Sequence, residues 1–442
     1  FKTSLINFNP KGLPFLSEWI RSDPSKVELM LRDMSVVEQA RCVMQLIGRQ
    51  KQDFLLLSPK GKEVVRALPP GEVYFMVKEI GQENALPLLS ATTKDQLQYI
   101  FDIEWWRKDK FIPNRALKWL NLLNKTNDPG ILSWFANEDS DQVVMVLQSL
   151  TKVYKKDEMT DSYEGVEGTA HFTPDGIYDI FISIPEAVPL LKRFLGLLRE
   201  CQPAHFCALM ESVIWNPITP TVERAYRWRL TRTASCGIPD YEEALEVYSR
   251  FNPEALSQSI SCPDNFTEPM DLQVAPYYVY SQTDPSQFFG FCLSFIDDPS
   301  RLETLRWELV YLANKVMVAD QRDPANSNHT QEIRQKVLGY LNIGLELGSE
   351  GDTQRGIKFL KNVWLQPLFQ VGYGHLMHLK WSAQKLIQEF CAYIEFLLED
   401  EEVEQLNALV AYPVPQRKEN KTGLLRHFQS LSEVREIEKQ LE

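Results

Sequence analysis

Apolar residues recur at helical spacing along most of this chain, and helix-start signals precede them. In the first 150 residues such signals lie near positions 35, 59, 70, 93, 113, 128 and 140. Ser35 with Glu38, and Thr93 with Gln96, have the spacing of capping boxes, in which side chains and backbone amides bond reciprocally. Gly81 is expected to end the helix that starts near position 70. The uneven spacing excludes a strict repeat but favours stacked helix pairs.

A different pattern occupies residues 169–184. Pro174, Asp175 and Gly176 supply the φ angles that a tight turn needs. The segment after the turn alternates apolar with polar positions, which is typical of a half-buried strand. The predicted fold is therefore all-α, an irregular superhelical array of short helix pairs with one inserted β-hairpin at about 169–184.

Changes in composition suggest where domains begin and end. Residues 252–287 are rich in Pro, Ser, Asp and Gln, as linkers and surface loops are. We predict an N-terminal helical array at 1–155 and a hairpin with helices at 156–251. The linker or surface loop at 252–287 then leads into a C-terminal helical domain at 288–442.

Charge and composition limit the possible functions. The chain has 442 residues, with 47 Lys and Arg against 60 Asp and Glu, for a net charge of −13. This acidic balance disfavours nucleic acid as a partner, because binding its phosphates requires a basic surface. No apolar run is long enough for a membrane span. The seven scattered cysteines favour a reducing compartment, so we expect a cytoplasmic protein. Because the chain begins with Phe1, we expect further residues to precede it in the natural protein.

Two family resemblances emerge from particular segments. Residues 67–73 (ALPPGEV) and 77–80 (VKEI) resemble the repeated helical units of the intracellular N-terminal domain of MgtE-type magnesium transporters, over about 30–150. The whole chain resembles an uncharacterised bacterial family, a domain of unknown function, through residues 172–178 and 368–374. These resemblances imply a superhelical N-terminal part. They imply no activity, and without a membrane segment they do not imply magnesium transport.

Two clusters suggest binding of an anion or a partner. Four arginines flank two aromatic residues within nine positions: Arg224, Arg227, Arg229 and Arg232, around Tyr226 and Trp228. Arginine beside aromatic side chains suits phosphate or nucleic-acid recognition. The alternative is ion pairing with the nearby Glu242, Glu243 and Glu246. Trp105 and Trp106 are either an exposed partner hot spot or buried between neighbouring helices.

Three further groups contain metal-ligating residue types: Cys201, His205 and Cys207; His375 and His378; and the acidic run from Glu399 to Glu402. The first lacks an identifiable fourth ligand for zinc, and the second lacks the surrounding zinc motif. The third has the composition of a solvated helix end. We therefore expect ordinary packing or solvation and assign no metal, cofactor or catalytic residue.

The expected function is a non-enzymatic protein-interaction scaffold or regulatory subunit, because stacked helices form extended grooves for a protein partner. Two alternatives remain open. One is a cytoplasmic regulator that responds to divalent cations through clustered carboxylates. The other is an enzyme with an interdomain site near Arg224–Arg232, although the chain has no nucleophile elbow, P-loop or dinucleotide fingerprint.

Overall fold

The computed structural model describes residues 13–46, 49–125, 140–156, 166, 169–258, 284–323, 326–390, 399–411, 414–419 and 423–441. The chain divides into two compact units, residues 1–233 (unit 1) and 234–442 (unit 2). The domain boundaries expected at 155 and 251 stay predictions. Most of the expected linker at 252–287 lies outside the described residues.

Unit 1 consists mainly of short α-helices. They are α1 Leu13–Ser22, α2 Pro24–Asp33, α3 Val36–Gln45, α4 Arg49–Leu57, α5 Gly61–Ala67, α6 Pro70–Ile80, α7 Leu86–Leu89, α8 Lys94–Glu104, α9 Pro113–Asn124, α10 Ser140–Leu150, α11 Val188–Cys201, α12 Pro203–Trp215 and α13 Ile218–Ser235. α13 thus extends two residues into unit 2. The all-α prediction is confirmed, and the helix start expected near 128 lies outside the described residues.

Local side chains explain where several of these helices begin and end. At the start of α3, the backbone amide of Ser35 donates to Glu38 Oε2 (2.8 Å) and the amide of Glu38 donates to Ser35 Oγ (3.3 Å). Thr93 and Gln96 make the same reciprocal bonds at α8. Gly81 ends α6 with φ of 92°, a conformation that side chains disfavour. Both capping boxes and the glycine stop are therefore confirmed.

The predicted hairpin is confirmed and belongs to a three-stranded antiparallel sheet. The strands are β3 Thr151–Lys155, β4 Ala170–Phe172 and β5 Tyr178–Ile182, in the order β3-β5-β4. In the turn, Asp175 Oδ1 accepts hydrogen bonds from the amides of Ile177 (2.9 Å) and Tyr178 (3.0 Å). The sequence did not predict β3, because this strand directly follows α10 with no glycine or proline between them. A two-residue pair, β1 Trp106–Arg107 with β2 Lys110–Phe111, precedes α9.

Unit 2 contains the longer helices. They are α14 Tyr241–Leu245, α15 Phe288–Leu293, α16 Pro299–Ala319, α17 Ser327–Gly348, α18 Thr353–Asn362, α19 Leu365–Phe390, α20 Asp400–Leu409 and α21 Leu431–Leu441. Short 3₁₀ helices at Glu246–Tyr248 and Pro253–Gln258 follow α14. A two-residue strand pair, β6 Arg417–Lys418 with β7 Leu425–Arg426, precedes α21. Among the described residues, no helix is long and apolar enough to cross a membrane.

The contact between α17 and α19 depends on glycine. A Cβ on Gly344 would lie 1.8 Å from the carbonyl oxygen of Leu368, and one on Gly372 would lie 2.1 Å from that of Tyr340. The two backbones are therefore too close for any side chain. The sequence pattern predicts a helix only from about His375, because glycines weaken a helix in isolation. α19 instead begins at Leu365. Its glycines allow close packing against α17, and this packing stabilises the helix where the local sequence does not.

Candidate functional site

Two arginines of the predicted cluster attach α13 to other helices of unit 1. Arg224 binds Asp141 of α10, with its Nε and Nη2 at 2.9–3.1 Å from the carboxylate oxygens. Arg232 binds Asp102 of α8, with its Nε 2.7 Å from Oδ2 and its Nη2 2.9 Å from Oδ1. Both pairs are bidentate, a geometry that restricts orientation as well as position. They fix α13 relative to α8 and α10.

Arg229 is held by backbone carbonyls rather than by a carboxylate. Its Nε donates to the carbonyl oxygen of Asp102 (2.6 Å) and its Nη1 to that of Lys108 (3.3 Å). The guanidinium also lies 5.6 Å from the ring centre of Trp106 and 5.7 Å from that of Tyr226. Burial lowers the pKa of Arg229, and the nearby Asp102 only partly opposes this shift. Its contacts are those of a packed structural arginine.

The remaining two members of the cluster face solvent. The side chain of Arg227 is 74% exposed and pairs with Glu223 one helical turn earlier. Trp228 is 55% exposed. The cluster therefore separates into three helix-positioning arginines and an exposed arginine–tryptophan pair.

In the described part of the chain, Arg224, Arg227 and Arg232 pair with carboxylates other than the expected Glu242, Glu243 and Glu246. The actual carboxylate partners, Asp141 and Asp102, are more than 80 positions from their arginines, and Glu223 lies on α13 itself. Proximity in sequence did not indicate these partners, because they are set by the helices against which α13 packs.

The tryptophans at 105 and 106 are buried. Trp105 is fully enclosed and stacks on Phe101 with ring centres 4.2 Å apart. Trp106 is 2% exposed and lies 5.6 Å from the ring of Tyr226. Of the two alternatives for this pair, the structure therefore shows burial, and neither indole is available to a partner.

An exposed apolar corner lies between α12 and α13, where sequence reasoning singled out no site. Trp215 is 71% exposed and Ile218 is 64% exposed. The turn between them is held by Gln148, whose Nε2 donates to the carbonyl oxygens of Val213 (3.1 Å) and Asn216 (2.7 Å). The available sequence signal was that Trp215 falls off the apolar stripe of α12 and precedes an Asn-Pro turn.

Glu211 fixes the orientation of Trp215. Its Oε2 accepts the indole N–H of Trp215 at 2.8 Å, while its Oε1 accepts Lys155 Nζ at 2.8 Å and the Tyr178 hydroxyl at 2.7 Å. These three donors lower the pKa of Glu211 to about 2. Burial and the bond to Glu211 raise the pKa of Tyr178. An exposed tryptophan is thus held in one orientation by groups from β3, β5 and α12.

The candidate metal ligands do not assemble into a site in the described part of the chain, where no three potential ligands form a group. Cys201 and His205 are exposed and Cys207 is partly buried. Glu399 and Glu402 form the capping box of α20.

The two histidines of α19 face different surroundings. His375 Nε2 lies 3.2 Å from Glu438 Oε1, whereas the ring of His378 lies edge-on to Trp381 at 5.1 Å. Despite their i, i+3 spacing, the two imidazoles therefore do not face one shared binding site.

A second polar cluster, also not anticipated from sequence, lies in the core of unit 2. Lys336 is fully buried, and its Nζ donates to Tyr248 Oη (2.6 Å) and Asp320 Oδ2 (2.7 Å). The Tyr248 hydroxyl donates to Asp320 Oδ1 at 2.5 Å. Burial lowers the pKa of Lys336, with Asp320 opposing the shift. The three groups join α17, the end of α16 and the 3₁₀ turn after α14.

The fold and these contacts define a mostly α-helical protein of two compact units, with two exposed tryptophans, Trp215 and Trp228, on the first. The model of a family of unknown function (DUF6178) matches residues 29–442, so the chain belongs to that family. The expected resemblance to an uncharacterised family is thereby confirmed. Searches of curated proteins and of solved structures gave no match.

Proposed function

We propose that this protein is a non-enzymatic interaction scaffold or regulatory subunit that binds a partner protein through the α12–α13 surface. This surface consists of the exposed side chains of Trp215, Ile218, Arg227 and Trp228. The observation that supports the proposal is the exposure of three large apolar side chains within fourteen positions, at 71, 64 and 55%. Tryptophan and arginine are enriched among the residues that dominate binding energy at interfaces.

The rigidity of this surface favours tight binding. Ordering a side chain on binding costs roughly 0.5–1.5 kcal/mol, and pre-ordering removes that cost. Trp215 is already oriented by Glu211. α13 is already fixed by the pairs that Arg224 and Arg232 make. Each tryptophan side chain offers roughly 150–250 Å² for burial in an interface.

The contacts of this surface also describe the partner. Because the indole N–H of Trp215 is already bonded, the partner needs no acceptor there. Arg227 and Glu223 neutralise each other beside Trp228. We therefore propose a partner segment with large apolar side chains, such as the apolar face of an amphipathic helix.

Other expectations remain predictions alongside this proposal. They are the cytoplasmic location, the bacterial origin, and the likeness of about residues 30–150 to the MgtE-type intracellular domain. The cation-responsive and enzymatic alternatives stay open as predictions too, although Arg224, Arg227 and Arg232 are paired with carboxylates as a structural cluster would be.

Site-specific photo-crosslinking in the native host tests the proposal. A benzophenone amino acid replaces Trp215 or Trp228, and in control variants it replaces Leu29 or Leu56, which are similarly exposed elsewhere in unit 1. We expect one covalent adduct with the same foreign protein at both tryptophan positions and at neither control position. Absence of adducts at the tryptophans, or equal adducts at the controls, would contradict the proposal. An adduct with a second copy would identify the partner as this chain itself.

A further inference from the structure

The C-terminal helix α21 is seated on α17 and α19 by buried apolar side chains: Leu431, Val434 and Ile437. The segment leading into it lies against α17, where a Cβ on Gly339 would meet the carbonyl oxygen of Phe428 at 2.1 Å. Asn342 Nδ2 donates to the carbonyl oxygen of Gln429 (2.9 Å). We call residues 427–441 the C-terminal seat. Two of the six histidines lie at its contacts, His427 within it and His375 facing it from α19.

His427 lies where a positive charge is poorly accommodated. Its side chain is 5% exposed, and its Nε2 is 3.7 Å from Glu332 Oε1, too far for a hydrogen bond. Neither ring nitrogen has a hydrogen-bond partner among the described residues. The charged or titratable groups around it are Glu332, which Arg322 already binds at 2.6 Å, together with Lys336, Asp320, Tyr340 and Arg426. Burial, with Lys336 adding to it, lowers the pKa of His427 despite Glu332.

His375 faces α21 from α19, and its side chain is 26% exposed. Its Nε2 is 3.2 Å from Glu438 Oε1 but does not make a hydrogen bond of good geometry. The other charged or titratable groups near it are Arg435 of α21 and His378 of α19. Burial, with these two groups adding to it, lowers the pKa of His375 despite Glu438.

From this arrangement we propose that the C-terminal seat is a pH-sensitive latch, which acidification below neutrality releases from α17 and α19. Protonation of His427 places a positive charge in a buried contact near Lys336, and protonation of His375 places one near Arg435 in a half-buried contact. Released from the seat, both imidazoles reach solvent and take up a proton at their ordinary pKa of about 6.5. The same release uncovers the apolar surfaces of α17 and α19 beneath Leu431, Val434 and Ile437.

The sign of the effect follows from proton linkage. A histidine whose pKa is lowered in the seated state binds fewer protons there than when released, so the seat loses stability as pH falls below about 6.5. Between the pKa of the released imidazole and that of the seated one, each pH unit of acidification raises the equilibrium constant for release by up to about tenfold per histidine. Ordinary carboxylates titrate near pH 4 and change little in this window.

Hydrogen exchange of the full chain between pH 7.5 and 5.5, corrected for intrinsic chemical rates, measures the release. We expect protection of residues 431–441 to fall by at least tenfold, while protection at the centre of α17, residues 337–345, stays constant. Equal responses of the two segments, or no response of α21, would overturn the proposal.

Histidine variants sharpen this test. His375→Gln and His427→Gln each keep a polar side chain without a titrating group near neutrality, so each variant should reduce the pH response and the double variant should abolish it. His205→Gln is the control, because His205 is exposed and lies in unit 1, outside the C-terminal seat. A full pH response in the double variant would show that other groups control the seat. If that variant does not fold, the comparison of α21 with α17 in the unaltered protein still decides.

Discussion

Two sets of ion pairs, one in each unit, differ in how deeply they are buried. In unit 1, Arg224 and Arg227 pair with carboxylates near solvent, and their side chains are 46% and 74% exposed. In unit 2, Lys336 is fully buried with Asp320 and Tyr248. In an exposed ion pair, the lost hydration of the two charges nearly offsets their attraction. Such a pair can therefore orient a helix while it adds little to the free energy of unfolding. Removing one partner of a buried pair is costly, because the other charge is then left uncompensated in the core.

Breaking the buried pair should have the largest effect. Asp320→Ala leaves Lys336 uncompensated in the core, so we expect unit 2 to lose about 3–5 kcal/mol of unfolding free energy. Urea denaturation measures this loss. The double variant Asp320→Ala/Lys336→Met should cost less than the single one, because no buried charge remains. A larger loss in the double variant would show that packing, rather than charge, determines stability at this cluster.

The glycine contact in unit 2 should be nearly as sensitive. Gly344→Ala introduces a Cβ 1.8 Å from the carbonyl oxygen of Leu368, so α17 and α19 must separate. We expect a loss of roughly 1–3 kcal/mol, measured by thermal or urea unfolding. Gly374→Ala in α19 is the control, since its Cβ would meet nothing within 4 Å. Alanine favours helix there, so the control should gain up to about 1 kcal/mol.

Within unit 1, substitution of the more buried of the two aspartates that bind α13 should cost more stability. The side chain of Asp102 is 1% exposed and that of Asp141 is 19% exposed. Asp102→Ala should cost about 1–3 kcal/mol, because Arg232 loses a buried charged partner. Asp141→Ala should cost at most about 1 kcal/mol. Equal losses in urea unfolding would contradict the distinction between the two pairs.

The smallest effect on stability belongs to the proposed binding surface. Trp228→Ala should change the unfolding free energy by no more than about 0.5 kcal/mol, because the side chain is mostly exposed. The same substitution should weaken partner binding by about 30-fold or more, which corresponds to roughly 2 kcal/mol at an interface hot spot. Binding of the crosslinked partner to the purified variant checks this expectation. Unchanged affinity with unchanged stability would remove Trp228 from the surface.

Much of the fold could be predicted because the controlling contacts are local. Ser35 with Glu38 and Thr93 with Gln96 are three positions apart, so each helix start depends only on its own residues. The hairpin turn likewise follows from Pro174, Asp175 and Gly176, and its predicted strands are confirmed. The strand at Thr151–Lys155 was missed, because its place in the sheet depends on pairing with β5 nearly thirty residues later.

The candidate surface was only partly predictable from sequence. The arginine–tryptophan cluster stood out by composition, and Trp228 and Arg227 are indeed exposed. The sequence did not decide whether Trp105 and Trp106 face solvent, because a short apolar segment has the same pattern whether it packs between helices or lies exposed. The corner at Trp215 was missed for the same reason.

The sequence by itself determined where most helices begin and where the hairpin turns, because a cap or a turn is formed by residues within four positions of one another. Only the tertiary structure decided which groups meet across longer distances. Arg232 binds Asp102, which is 130 positions earlier in the chain, and Lys336 binds Tyr248, which is 88 positions earlier. Such pairs depend on how whole helices pack, so the local sequence does not determine whether a charged side chain is exposed or buried.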